Sequence, residues 1–263
     1  MNTNKVILFM SHQSDFLAYQ APANCLNERI IVITGAGAGI GRAVALACAK
    51  AGATVVLLGR SMQKLESVYD EIEKAGGAQP AIFPINLESA TEQDYTQLKN
   101  ALKEEFGRID GLLHNAGKLG TNTPIAQYNA SEWQAVMQVN AIAPFMLTQA
   151  LLPLFKEAKD ASIVFTGSAV GYQGRAYWGA YAASKAATEN LMQTLADEQS
   201  ELSHIRVNSI NPGATRTQMR ADAYPAEHPN DVTPPEAHAN RYLYLLGPAS
   251  QGVNGQQFEA QPQ

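Results

Sequence analysis

From residue 29 onward, apolar runs rich in β-branched residues alternate with segments whose apolar positions recur every three or four residues. Arg29-Ile30-Ile31-Val32-Ile33-Thr34 is nearly all apolar, as a strand buried on both faces should be. Residues 40–51 then place Ile40, Val44, Ala47 and Ala51 on one helical face, and Gly52 supplies a stop. A second strand is expected over 54–58. Ser61 is a candidate cap for a helix whose stripe is Leu65, Val68 and Ile72, ended by Gly76-Gly77. The same reading gives strands over 81–87, 109–114, 163–166, 205–210 and 256–260. It gives helices over 92–106, 131–155 and 180–201, the second bent at Pro144. Residues 222–236, rich in Pro, Ala and acidic side chains, read as a loop.

Strands alternating with helices imply βαβ units, a parallel sheet and right-handed crossovers that put helices on both faces. The expected class is α/β, a doubly wound parallel sheet. Composition narrows the partners. The 263 residues carry a formal charge of −5 and are 46% hydrophobic. That balance argues against a nucleic-acid binder, which needs a basic face. Cys25 and Cys48 are the two cysteines, too few for a disulfide framework and consistent with a reducing compartment. The apolar run at 6–10 is five residues long, well short of the ~20 of a membrane span. The expectation is a soluble, cytoplasmic protein with no membrane partner. Residues 1–27 are expected to be an arm outside the core, with translation from Met10 as an alternative, and 28–263 the folded domain.

The turn after the first strand reads Thr34-Gly35-Ala36-Gly37-Ala38-Gly39-Ile40-Gly41. Glycines let backbone approach a pyrophosphate, and the following helix N-terminus offers unpaired N–H groups to the phosphates. Glycine also serves ordinary turns, but this motif lies between an expected strand and an expected helix, the context a dinucleotide site requires. Its spacing differs from G-x-G-x-x-G and resembles the cofactor turn of the short-chain dehydrogenase/reductase family, in its branch of single-domain enzymes. That resemblance implies a Rossmann-like sheet of about seven strands in the order 3-2-1-4-5-6-7.

The identity of the dinucleotide turns on the end of the second strand, where an acid would accept from both ribose hydroxyls of NAD. Leu57-Leu58-Gly59-Arg60-Ser61 has none. Arg60 is a planar cation suited to a 2′-phosphate, and Ser61 adds a hydroxyl. NADP(H) is therefore favoured over NAD(H). After the third strand the family carries an aspartate facing adenine; this chain has Asn86 before Leu87, which keeps an acceptor and loses the charge. Asn115-Ala116-Gly117 matches the family element that supports the central sheet beside the adenine ribose.

In Tyr181-Ala182-Ala183-Ser184-Lys185, positions 181 and 185 share a helical face. Carbonyl reduction needs an acid at the oxygen, and an ammonium beside a phenol is expected to lower the phenol's pKa. Ser168 lies at the C-terminal end of a parallel strand, where open α/β sheets bind ligands. The resemblance assigns Tyr181 as general acid/base and Ser168 as the hydroxyl holding the substrate carbonyl. Lys185 would bind the nicotinamide ribose and tune Tyr181. Asn140 matches the helix asparagine that supports a relay water. Pro212, Gly213, Thr215 and Thr217, after the sixth strand, match the element at the nicotinamide end. The family pairs the helices over 131–155 and 180–201 into homodimers or homotetramers.

The five histidines show no metal-ligand spacing, and His114 is expected to pack near the sheet end. Tyr177 and Trp178 could wall the substrate pocket or pack at a subunit interface, and Arg175 reads as a solvated loop charge. The function implied is an oxidoreductase acting on a small carbonyl or alcohol substrate. The alternatives are an NADP(H)-binding regulatory protein and an NAD-dependent alcohol dehydrogenase.

Overall fold

The computed structural model describes residues 12–200 and 204–261. The apolar run at 6–10, the alternative start at Met10 and the last residue expected of the 180–201 helix lie outside the described residues. Seven strands form one sheet: β1 (Ile30–Thr34), β2 (Thr54–Gly59), β3 (Ala81–Pro84), β4 (Gly111–His114), β5 (Ala161–Thr166), β6 (Ile205–Asn211) and β7 (Gln257–Glu259). Their order is β3-β2-β1-β4-β5-β6-β7, and every pairing is parallel. The chain winds outward from β1 to β3, then restarts on the other side at β4. The connections leaving β1 and β4 therefore diverge, opening a crevice at the strand C-termini.

Helices α1 (Gly39–Lys50), α2 (Met62–Lys74), α3 (Glu92–Phe106), α4 (Ala130–Met137), α5 (Ala143–Phe155), α6 (Gly179–Gln199), α7 (Gln218–Ala223) and α8 (Ala239–Leu246) complete the frame. Strand periodicity divides the core into two layers. Ile31 and Ile33 face a cluster with Val44 and Cys48 of α1 and Tyr242 and Leu245 of α8. Val32 faces the other side, with Leu98 of α3, Leu151 of α5 and Met192 of α6. The bounds of α3 are those expected, because its end signals are local. Thr91 and Asp94 form a capping box at its start, and Gly107 takes the left-handed conformation, φ 72°, at its end.

Three expectations change. First, residues 12–27 are not an arm outside the core. Residues 12–18 are helical, and Phe16 and Leu26 are fully buried in the layer beneath α1 and α8. The short apolar content of this segment fills a gap that α8 and β7 leave, which periodicity could not reveal. Second, the helix expected over 131–155 is not one regular α-helix. Asn129 caps α4 one residue earlier than expected, and a π-helical turn over Gln138–Ile142 separates α4 from α5. Pro144 follows the π turn and has no N–H to give the Asn140 carbonyl four residues back; Thr188 Oγ1 donates to that carbonyl instead, at 2.9 Å. Third, β3 ends at Pro84 rather than at residue 87.

Between them, α4 and α5 with the π turn (Ala130–Phe155) are long and apolar enough to cross a membrane by length and composition, at a mean hydropathy of 1.4. In this fold α5 packs against α3 and the sheet through Leu147, Leu151, Leu154 and Phe155, while Ile142 and Phe145 stay exposed.

Candidate functional site

The crevice begins at the turn between β1 and α1. Gly35 has φ +68°, a conformation disfavoured for any residue with a Cβ. At Gly41 an added Cβ would lie 2.3 Å from the Gly35 carbonyl oxygen, so helix and turn touch through bare backbone. The turn is fastened to β4. Thr34 Oγ1 accepts from the Asn115 and Ala116 N–H groups at 2.9 and 3.0 Å, and Asn115 Nδ2 donates to the Thr34 carbonyl at 3.2 Å. The Asn115-Ala116-Gly117 element thus joins the two strand ends that flank the crevice.

On the β2 side lies a hollow of about 590 Å³, lined by Gly37, Ala38, Arg60, Ser61, Lys64 and Asn86. The side chains of Arg60 and Lys64 make no hydrogen bond or ion pair among the described residues. Two cations thus line the hollow outside any ion pair among the described residues, an arrangement that suits a phosphate, while Glu88 and Asp222, which also line it, are engaged by Lys118 and Gln218. Lys64 did not emerge from the sequence reading; the available signal was a second cation one helical turn beyond Arg60. Ser61 occupies the cap position of α2, but its side chain caps no N–H. Asn86 is exposed, and its amide oxygen accepts from the Glu88 N–H at 3.2 Å. Leu87 is buried behind it.

On the β5 side is a second hollow, about 330 Å³, lined by Ser168, Tyr181, Lys185, Trp178 and residues of the β6–α7 loop. The two hollows share Gly35, Ala38, Ala116 and Gly117, so they are lobes of one crevice. Pro212, Gly213, Thr215, Thr217, Gly39 and Ile40 line the second lobe. Gln218 and Met219 of α7 border both, a lining role that loop composition did not announce.

Within this lobe α6 presents Tyr181 and Lys185 on one face, with Lys185 Nζ 5.6 Å from the Tyr181 ring centroid. Lys185 is buried and donates to the Thr166 carbonyl at 2.7 Å. Burial pulls its pKa down to about 8, against the opposing charge of Glu189. Burial pushes Tyr181 up to about 12, and a hydrogen bond with Ser168 acts in the opposite sense. Desolvation dominates at Tyr181, and the Lys185 ammonium is directed at a backbone carbonyl.

Asn140 sits at the centre of the π turn. Its amide oxygen accepts from the Lys118 N–H at 2.8 Å, and its Nδ2 donates to the Lys118 carbonyl and to Ser184 Oγ, both at 2.9 Å. Its carbonyl accepts from Thr188 Oγ1 at 2.9 Å. The π turn thus ties the β4 loop to α6. His114 is buried, stacks on Phe165 and shares a 2.8 Å hydrogen bond with Thr148; burial drives its pKa down to about 3, so it is neutral.

At the mouth, Trp178 lines the hollow and meets Tyr181 edge-on at 5.8 Å. Tyr177 is 59% exposed, with φ 72°. Arg175 is not simply a solvated charge. It donates to Tyr224 OH at 2.6 Å and lies against the Trp178 and Tyr224 rings. Arg220 is neutralised by a two-pronged contact with Glu227, both distances 2.6 Å. No cluster of metal-ligating side chains occurs among the described residues.

The sequence profile of the short chain dehydrogenases matches residues 29–228. Over 244 residues the chain is 50% identical to the uncharacterized oxidoreductase YciK of Escherichia coli strain K12, covering 93% of this chain and 96% of that protein. A solved short chain dehydrogenase structure from Pseudomonas syringae gives a TM-score of 0.91 at 55% identity, over 92% of this chain and 98% of that one. One from Shigella flexneri, complexed with NADP, gives 0.89 at 49% identity, over 92% and 100%.

Proposed function

The chain belongs to the short-chain dehydrogenase family, and from that premise we propose that it is an NADP(H)-dependent oxidoreductase of a carbonyl/alcohol pair. The observation that carries this reading is that Ser168, Tyr181 and Lys185 line one lobe of a crevice whose other lobe holds two unpaired cations. The residues fit the cofactor. The bare-backbone contact of Gly35 with Gly41 sets the turn against the N-terminus of α1, whose unpaired N–H groups suit a pyrophosphate, and Arg60, Lys64 and Ser61 suit a 2′-phosphate. Asn86 and Leu87 would border the adenine, and Thr215 and Thr217 the nicotinamide end. The NADP in the Shigella flexneri relative supports this choice over NAD.

Bound there, the nicotinamide would supply or accept a hydride. The protein's own part is the proton. Tyr181, with its pKa pushed up to about 12, holds its proton throughout the neutral range, so it is poised to donate to a carbonyl oxygen. Reduction is the favoured direction. Ser168 would hold that oxygen by a second hydrogen bond. Lys185 would place its ammonium at the ribose and stabilise the phenolate left behind. Asn140 fastens Lys118 and Ser184, keeping the walls of the lobe in register.

The reading extends to a homo-oligomer. Phe145 and Ile142 are exposed on the apolar stretch Ala130–Phe155, and a second copy would cover them. A cytoplasmic location is part of it, supported by two unpaired cysteines.

The test is an NADPH-oxidation screen over aldehydes, ketones, quinones, steroids and acyl-thioesters with wild type and Tyr181→Phe. Turnover is expected to fall by roughly 10²–10⁴-fold in the variant, with NADPH affinity within a few fold of wild type. Equal turnover by the two proteins would remove Tyr181 from the chemistry.

A further inference from the structure

Glu189 is a buried carboxylate that the chemistry above does not use. It lies on α6 one helical turn beyond Lys185, and both side chains are almost wholly shielded from solvent. A buried ammonium needs compensation. Lys185 has one neutral hydrogen-bond acceptor, the Thr166 carbonyl, and no ion pair among the described residues. Glu189 is held by donors alone. Tyr172 OH donates to Oε1 at 3.3 Å, and Ser209 Oγ and Gln257 Nε2 donate to Oε2 at 2.7 and 2.9 Å. A pocket of donors suits the ionised form of the group. Gly167, at the end of β5, completes the enclosure: a Cβ there would lie 2.2 Å from Glu189 Oε1.

We propose that Glu189 is a positioning residue for the reaction: its buried negative charge, held by β6, β7 and the loop after β5, keeps Lys185 protonated in the site. This rests on the oxidoreductase reading only for what the charge on Lys185 is used for. The burial of both groups one helical turn apart is a property of the folded chain.

The other groups around the pair do not supply the compensation. Tyr181, on the same helix, retains its proton, and His114 on β4 is neutral. Tyr242 on α8 and Tyr172 after β5 are pushed upward by burial and stay neutral. Glu259 on β7 is bonded to Asn211 Nδ2 and its pKa is raised by burial and by Glu189 itself. Glu189 is the carboxylate whose charge acts on Lys185, opposing the fall to about 8 that burial causes. Without that charge Lys185 loses its proton at lower pH. The alkaline limb of turnover, which tracks the ammonium, moves down with it.

The experiment follows the protein's lysine 13Cε and glutamate 13Cδ NMR signals against pH without cofactor or substrate, assigning the two residues from K185M and E189Q. In E189Q the Lys185 midpoint is expected to fall by about one to two pH units, while Glu189→Asp restores most of the shift. An unchanged midpoint in folded E189Q overturns the proposal. If E189Q does not fold, wild type still decides. The Glu189 13Cδ signal is expected to move as Lys185 loses its proton, and a Glu189 signal indifferent to that step overturns the proposal equally. Because neither readout involves turnover, a failed NADPH screen and a failed Glu189 proposal remain distinct. Where turnover is found, the alkaline limb of kcat/KM in E189Q should fall by the same shift as the Lys185 midpoint.

Discussion

At the scale of single residues, the chemistry proposed for the crevice rests on side chains that line its two lobes. The family resemblance singled out Ser168, Tyr181 and Lys185, and a helical repeat and the end of a strand account for their sharing one lobe. The charge state of the Tyr181–Lys185 pair was not legible, since it depends on burial that spacing does not encode. Desolvation pushes Tyr181 up to about 12 and pulls Lys185 down to about 8, the reverse of what a bare ammonium–phenol contact suggests for the tyrosine. Arg60 was legible as a misplaced cation at a helix start; Lys64 became visible only when α2 folded its first turn over the same hollow. Arg60→Asp should invert the NADPH/NADH preference in kcat/KM, because a carboxylate repels a 2′-phosphate and accepts from ribose hydroxyls. A ratio unchanged from wild type would take Arg60 out of cofactor selection and leave Lys64 as the discriminating cation.

At the scale of elements, the parts with local signals were read closely. The capping box and αL glycine fix both ends of α3, and the β1 turn is fixed by contacts that exclude a side chain. Gly41→Ala tests that turn: the added methyl group would sit 2.3 Å from a backbone oxygen that cannot rotate away. The turn must open, so NADPH affinity is expected to weaken at least about tenfold, a change of roughly 1.4 kcal/mol, while far-UV circular dichroism stays near wild type. Undiminished affinity would show that the cofactor does not lie on this backbone. The π turn over Gln138–Ile142 was not legible. It leaves the apolar pattern almost undisturbed, and Pro144 offered a more obvious reason for a break. The turn sets Asn140 between the Lys118 backbone and Ser184, partners distant in sequence. An extra residue in the helix re-aims the side chain, a recurrent use of π turns at functional sites.

For the whole molecule, the alternation of strands and helices was enough to give the parallel sheet, and its strand order followed from the family resemblance. What escaped was the packing of residues 12–27, whose few apolar side chains have no period of their own. Phe16 is enclosed by Phe258 and Tyr244, with ring centroids 4.6 and 5.8 Å away, and the Arg241 guanidinium lies over it. Phe16→Ala should cost about 3–5 kcal/mol of unfolding free energy, read from urea denaturation at constant m-value; a loss below about 1 kcal/mol would show that the segment is peripheral. The neighbouring Gln13 has a separate significance. Its amide donates to the Glu259 carbonyl at 2.8 Å and accepts from the Glu259 N–H at 3.2 Å, the two bonds that a further strand would make with β7. One side chain thus stands in for an eighth strand, occupying ladder positions that would otherwise be open to a foreign chain. A segment that looks dispensable by composition thus closes the open edge of the sheet, and Gln13→Ala, which frees both Glu259 backbone groups, is expected to raise self-association in light scattering while leaving the crevice intact.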